Sequence, residues 1–207
     1  MRQINERTLS LIKEFEGFRA EAYRDVAGVW TIGYGTTAAA NVGVTPVPGM
    51  TITKAEAEWY LQKAVNKFAA QVEAMLTAPA NDNEFGAFVS LAYNIGPGAF
   101  GKSSALRHFN AGKKDLAANA ILAWNKATVK GRKQVVRGLA RRREAEKALF
   151  LSPVVGGPAK PRTPPAAKKP ASGAKVGGIG AVIAALAAAI ALAWAKFGET
   201  VNYWMGW

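Results

Sequence analysis

Cysteine is absent from these 207 residues, and histidine occurs once, as His108. A chain without thiols and with one imidazole excludes a zinc site of the common kind and any disulfide that would brace or gate the fold. We therefore expect no metal and no cofactor, and the protein needs no oxidising compartment to fold. His108 reads as a surface residue of a helix near 104–110. An apolar run is also missing from the start. Met1-Arg-Gln-Ile-Asn-Glu-Arg-Thr8 has nothing resembling the hydrophobic stretch of a secretory signal, so unaided passage across a membrane is not expected. The chain carries a formal net charge of +13, yet no nucleic-acid recognition motif or stacking pattern accompanies it, and nucleic acid is rejected as the main partner.

That charge is unevenly spread. Residues 1–101 hold eight Lys/Arg against ten Asp/Glu, a net of −2. Residues 102–151 hold thirteen against three, a net of +10, and the last 56 residues six against one, a net of +5. The densest runs are Lys113-Lys114, Lys130-Gly-Arg-Lys133 and Arg141-Arg-Arg143. A basic face in the second region would draw the protein onto anionic cell wall, lipopolysaccharide or phospholipid head groups. The bland alternative is a solvated helical face partly paired with Glu144 and Glu146.

Among the few acidic residues, Glu16 and Asp25 stand nine apart, with Thr31 six further on. Ile4, Leu11, Ile12, Phe15 and Phe18 recur at helical spacing behind Asn5, a capping residue, which predicts a helix over roughly 5–17. Gly17 should end it and leave Glu16 at its C-terminus. A helix C-terminus, with its unpaired carbonyls, is a poor place for negative charge, which suits a group that must hold a proton until it is needed. From Ala22 the pattern turns extended, breaks at Ala27-Gly28 and resumes at Trp30-Thr-Ile-Gly33. This predicts a hairpin with Asp25 and Thr31 flanking its turn, and Gly33 and Gly35 permit close backbone approach beside it. Two carboxylates on different elements with a hydroxyl nearby are the minimum equipment for cutting a glycosidic bond. Spacing alone leaves ordinary solvated carboxylates as an equal alternative.

Further along, Thr53-Lys-Ala-Glu56 is a capping box opening a run to about Leu76. About 24 residues of helix would span ~36 Å. Phe85, Phe88, Val89, Ala92 and Tyr93 predict a shorter helix ended by Gly96-Pro97-Gly98. Helices near 104–110, 115–124 and 135–150 are expected to follow, with their apolar residues in the core.

The stretch Glu16-Gly-Phe-Arg…Tyr23-Arg-Asp25…Trp30-Thr31-Ile-Gly-Tyr-Gly35 resembles the active-site signature of phage-type lysozymes, glycoside hydrolase family 24. Three more blocks resemble the same family in the same order: Ser90-Leu-Ala-Tyr-Asn-Ile-Gly-Pro-Gly-Ala-Phe100 with Ser103, Ser104 and Leu106; Trp124-Asn-Lys126; and Val136 to Glu146. The resemblance covers about residues 4–151. It implies an α+β, mostly α, two-lobed domain over 1–151, with a small N-terminal β-hairpin lobe and a larger helical lobe. It implies an endolysin cutting the β-1,4 bond between N-acetylmuramic acid and N-acetylglucosamine in peptidoglycan, with inversion. In family terms Glu16 matches the general acid, and Asp25 and Thr31 match the pair that positions the attacking water. Tyr23 and Asn94 fall in resembling blocks and are candidate substrate contacts, with packing an equal alternative. Residues 38–50 are this chain's own, and no contact there carries over. The competing function is a catalytically idle, membrane-permeabilising or wall-binding protein on the same fold. A lytic transglycosylase would have the glutamate without the Asp/Thr pair, and this chain has both.

Beyond the domain the composition changes. Residues 152–175 are rich in Pro, Ala, Gly and Lys/Arg, predicting an extended linker. Val176 to Ala195 runs without a charge between Lys175 and Lys196, and a helix of that length is about 30 Å long, one bilayer core. Trp194, Phe197, Tyr203, Trp204 and Trp207 gather at its far end, as aromatics do at a membrane interface. We thus expect a transmembrane or membrane-active helix at 176–196 and an aromatic tail at 197–207, with a soluble packed helix as the alternative. Five cations precede the helix against one Lys and one Glu after it, which favours a cytoplasmic catalytic domain held at the inner membrane. Such an enzyme would depend on a holin-type pore to reach periplasmic peptidoglycan.

Overall fold

Asn5 opens the first helix as its side chain allows: Oδ1 accepts from the Thr8 N–H at 2.9 Å and from the Thr8 hydroxyl at 2.8 Å, satisfying an amide that the helix itself leaves unpaired. Helix α1 (Glu6–Glu16) buries Leu9 and Ile12 and ends before Gly17, which sits at φ +70° where a side chain would be strained. The protein is described here by a computed structural model covering residues 2–25, 27–129 and 131–154. The segments expected to form a membrane helix (176–196) and an aromatic tail (197–207), and nearly all of the expected linker, lie outside the described residues. Among the described residues no helix is long and apolar enough to cross a membrane.

The chain divides into two compact units. One begins at Glu16 and runs to Ala64. Its antiparallel sheet has the order β1 (Arg19–Arg24), β2 (Trp30–Gly33), β3 (Thr36–Thr37). Tyr23 pairs with Thr31 and Arg24 with Trp30 across the first two strands. The other edge of β1 is covered by the returning chain: Ala22 N–H donates to Met50 O at 2.8 Å and Ile52 N–H to Ala20 O at 2.9 Å. The 38–50 segment therefore ends beside β1, in an isolated antiparallel bridge between Glu21 and Thr51 that covers part of that edge. Helix α2 (Lys54–Met75) starts at the expected capping box, with Thr53 N–H donating to Glu56 Oε2 at 2.7 Å and Glu56 N–H to Thr53 Oγ1 at 3.2 Å. Gly33, at φ +66°, is what lets β2 lie on this helix: a Cβ there would stand 2.9 Å from Ala57 Cβ.

The other unit holds the described residues up to Phe15 and those from Val65 to Val154. Its centre is α3 (Asp82–Ile95), with twelve of its fourteen residues buried, so no side of this helix is left for water. Phe88 lies 5.1–5.2 Å, centroid to centroid, from Phe100, Phe109 and Phe150, a cluster of edge and tilted contacts. Gly96 stops α3 as expected, but Pro97 at once starts the short α4 (Pro97–Gly101), since proline is well suited to a first helical position. Then come α5 (Ser104–Asn110), α6 (Lys114–Ile121) and α7 (Arg137–Leu151). The helix expected over 115–124 stops at Ile121, and an unforeseen hairpin follows, β4 (Lys126–Val129) and β5 (Arg132–Val135). Ser152 and Pro153, which composition assigned to the linker, are held to the domain by Asn83 Nδ2, at 3.0 Å from Ser152 Oγ and 3.0 Å from Pro153 O.

The run Arg141–Arg143 requires a correction. Only Arg141 is exposed; Arg142 and Arg143 are buried around Glu146. Glu146 Oε1 accepts from Ser90 Oγ at 2.7 Å, Arg142 Nε at 3.2 Å and Arg143 Nη2 at 2.9 Å, while Oε2 lies 2.8 Å from Arg143 Nε. Two guanidiniums withdrawn from water are tolerable only with such a partner. They lock α7 to α3 instead of forming a basic face. Lys114 is likewise paired, 2.7 Å from the buried Glu84.

Candidate active site

Glu16, Tyr23, Asp25 and Thr31 all belong to the same compact unit. Glu16, half-buried, carries its carboxylate to the sheet: a Cβ on Gly35 would lie 4.0 Å from Glu16 Oε2. Gly35 itself is at φ +82°, a backbone conformation that a side chain would strain.

Asp25 follows the last residue of β1 and clamps the turn. Its Oδ1 accepts from the Ala27 and Val29 N–H groups, each at 2.9 Å, and its own N–H donates to Val29 O at 3.0 Å. An aspartate holding backbone amides two and four residues on is the turn-forming habit of this side chain. Thr31, 3% exposed on β2, donates its hydroxyl to the same Val29 carbonyl at 3.1 Å. The peptide groups of Val29 therefore tie the Asp25 carboxylate and the Thr31 hydroxyl into one rigid unit. Both spare acceptor positions follow from this. Asp25 keeps Oδ2, and the Thr31 oxygen, its proton already given away, presents a lone pair.

Tyr23 reports on the charges around it. Burial pushes its hydroxyl above the ordinary 10.0; the Arg19 guanidinium opposes the rise, and Asp25 and Glu16 both add to it. The charges of both carboxylates thus act on the one phenol. Arg19 lies over the Tyr23 ring, 4.1 Å from its centroid. Arg24 braces the turn from the opposite face, donating to Gly28 O at 2.6 Å and stacking 4.8 Å over Trp30.

Asn94 is placed differently. It lies on α3 in the other unit, 8% exposed, with Oδ1 accepting from Arg143 Nη2 at 3.0 Å. His108 is half-buried on α5. Sequence reasoning missed Val29, whose contribution is entirely backbone and leaves no side-chain signal. It also missed Arg19 as a stacked cation, although Arg19 and Tyr23 at an interval of four in a strand could have been seen to share a face.

A family profile described as phage lysozyme matches residues 13–146. An endolysin of Acyrthosiphon pisum secondary endosymbiont phage 1 is 39% identical over 149 residues, covering 72% of this chain and 98% of that protein. An endolysin of Bacillus phage B103 is 39% identical over 151 residues, 72% of this chain, which spans only about half, 54%, of that longer relative. Among solved structures, an endolysin from Escherichia coli O157:H7 phage FAHEc1 superposes with a TM-score of 0.66 at 43% identity, covering 75% of this chain and 97% of the other.

Proposed function

This chain belongs to the phage lysozyme family, and from that membership we infer that it is an endolysin, hydrolysing the β-1,4 bond between N-acetylmuramic acid and N-acetylglucosamine in peptidoglycan. Glu16 gives its proton to the glycosidic oxygen as the bond from C1 breaks. A water held by Asp25 Oδ2 and the Thr31 lone pair adds its oxygen to C1 from the other face and passes a proton to Asp25. The product anomer is inverted. Support comes from the Val29 hydrogen bonds, which leave two acceptors for the two hydrogens of one water and so aim its oxygen lone pair outward. Tyr23, its hydroxyl raised above the ordinary 10.0 by burial, serves as a donor to substrate or to the carboxylates. Asn94 acts through Arg143, holding α3 to α7.

The enzyme is made in the host cytoplasm. Residues 176–196 hold it at the inner membrane until a holin-type pore gives access to the wall, with the 152–175 linker as a tether; the length and the charge-free run of that segment support this. Purified murein treated with the full chain should release soluble muropeptides whose newly formed reducing ends are inverted when read at once by proton NMR. Murein left intact would refute the hydrolase reading, and retained configuration would refute the water-positioning roles. Cell fractionation tests the tail: full chain as soluble as a 1–154 truncation would refute membrane attachment.

A further inference from the structure

The β4–β5 hairpin contributes little to the core. Seven of its eight residues are exposed, Ala127 being the exception. Val129 and Val135 are 37% and 58% exposed, and its ends are closed at the base by Val136 N–H donating to Asn125 O at 2.9 Å. Such a ribbon gains little from burial, and isolated two-stranded hairpins are marginal in water. It is nevertheless charged with one sign only. Lys126, Arg132 and Lys133 are exposed and none pairs with a carboxylate among the described residues; no Asp or Glu occurs in sequence between Asp115 and Glu144.

The register decides what this ribbon can meet. Lys126 pairs with Val135, Thr128 with Lys133 and Val129 with Arg132. Side chains alternate between faces, so Lys126, Lys133 and Val135 share one face while Val129 and Arg132 share the other. Lys126 and Lys133 are diagonal neighbours on theirs, roughly 7–8 Å apart. The two exposed valines point to opposite sides, and each sits beside a cation. No continuous apolar face exists to enter a bilayer, which membrane-binding amphipathic elements require. Two cationic faces do suit a polyanion that surrounds the ribbon.

We propose that the β4–β5 hairpin binds the free carboxylates of peptidoglycan stem peptides, holding the enzyme on its insoluble substrate between cuts. The proposal rests on the endolysin reading and deepens it. The catalytic unit reads the sugar linkage, and the hairpin reads the peptide charge that accompanies it. Exposed ion pairs are individually weak and screened by salt, so retention needs several at once.

The test compares the full-length wild type with the full-length triple variant Lys126→Gln, Arg132→Gln, Lys133→Gln, so the basic tail is common to both. Sedimentation with purified sacculi at low salt should show binding about tenfold weaker for the triple variant, the difference closing as ionic strength rises. On sacculi whose stem-peptide carboxylates have been converted to neutral amides with a carbodiimide and methylamine the two should bind equally. Lys126→Arg, Arg132→Lys, Lys133→Arg should bind as wild type, and Arg132→Gln alone, about two- to threefold weaker, covers the case of a misfolded triple. Equal binding of wild type and Gln variants to sacculi would overturn the proposal. So would an equal loss on the amidated sacculi, or a loss confined to phosphatidylglycerol vesicles, which would mean lipid phosphate. Muropeptide release is scored separately: wild type that binds sacculi without cutting them sinks the endolysin reading and leaves the binding comparison standing.

Discussion

Two hairpins in this chain have opposite fates. In β1–β2 the second strand is buried, with Thr31, Ile32 and Gly33 nearly without exposure, and the five-residue turn is closed by an aspartate. In β4–β5 almost nothing is buried, and the charged side chains are all cationic. The first is fixed by its packing and can hold a carboxylate and a hydroxyl in one position. The second is free of packing demands and can be given over to charge. Catalysis needs the first kind of support, because small displacements of a reacting group cost large factors in rate; long-range attraction needs only the second.

The largest effect that would break this contrast lies beside the first hairpin. Glu16→Gln should lower kcat on murein by about 10²–10⁴-fold with the thermal midpoint nearly unchanged, and retained turnover would remove the acid assignment. Next come the two hairpins set side by side. Ile32→Ala, at a site with no exposure, should cost about 2–5 kcal/mol in denaturant unfolding, whereas Val135→Ala should stay within about 0.5 kcal/mol; similar costs would erase the distinction. Asp25→Asn keeps an amide-accepting oxygen but no base, so turnover should fall about 10²-fold while stability drops by no more than about 1 kcal/mol. Thr31→Val preserves shape and removes the lone pair, so a smaller loss of about tenfold is expected, all of it in kcat. An unchanged kcat would show that the water is held elsewhere.

The smallest effect is electrostatic. The Tyr23 hydroxyl is raised by burial, as are those of Tyr34 and Tyr60. A raised folded-state value means that the stability contributed by the protonated form is complete below the unfolded value of 10.0 and is lost as pH rises through the folded one. Unfolding monitored from pH 9 to 12 should therefore show a decline steeper in wild type than in Tyr23→Phe.

Helix ends were the most legible part of the fold, because caps are local. Asn5 with Thr8, Thr53 with Glu56 and the stop at Gly17 all lie within one turn of the residue they serve. The hairpin at 126–135 escaped notice because its strands bury nothing, so the alternation that reveals a strand was never selected; the glycine at 131 was the one available sign. The arginines of α7 were misread for a related reason. The partner Glu146 was visible at helical spacing, but Ser90 and Asn94 come from more than forty residues away.

Which residues are candidates for the chemistry could be read from the order of amino acids alone: a glutamate ahead of a helix-stopping glycine, then an aspartate and a threonine flanking one turn. Which charges meet water could not. Arg142 and Arg143 are as basic in sequence as Arg132 and Lys133, and only the packing of α7 against α3 encloses the first pair around a carboxylate while leaving the second pair exposed. Charge belongs to a residue, but the cost of removing it from water depends on neighbours brought together by the fold.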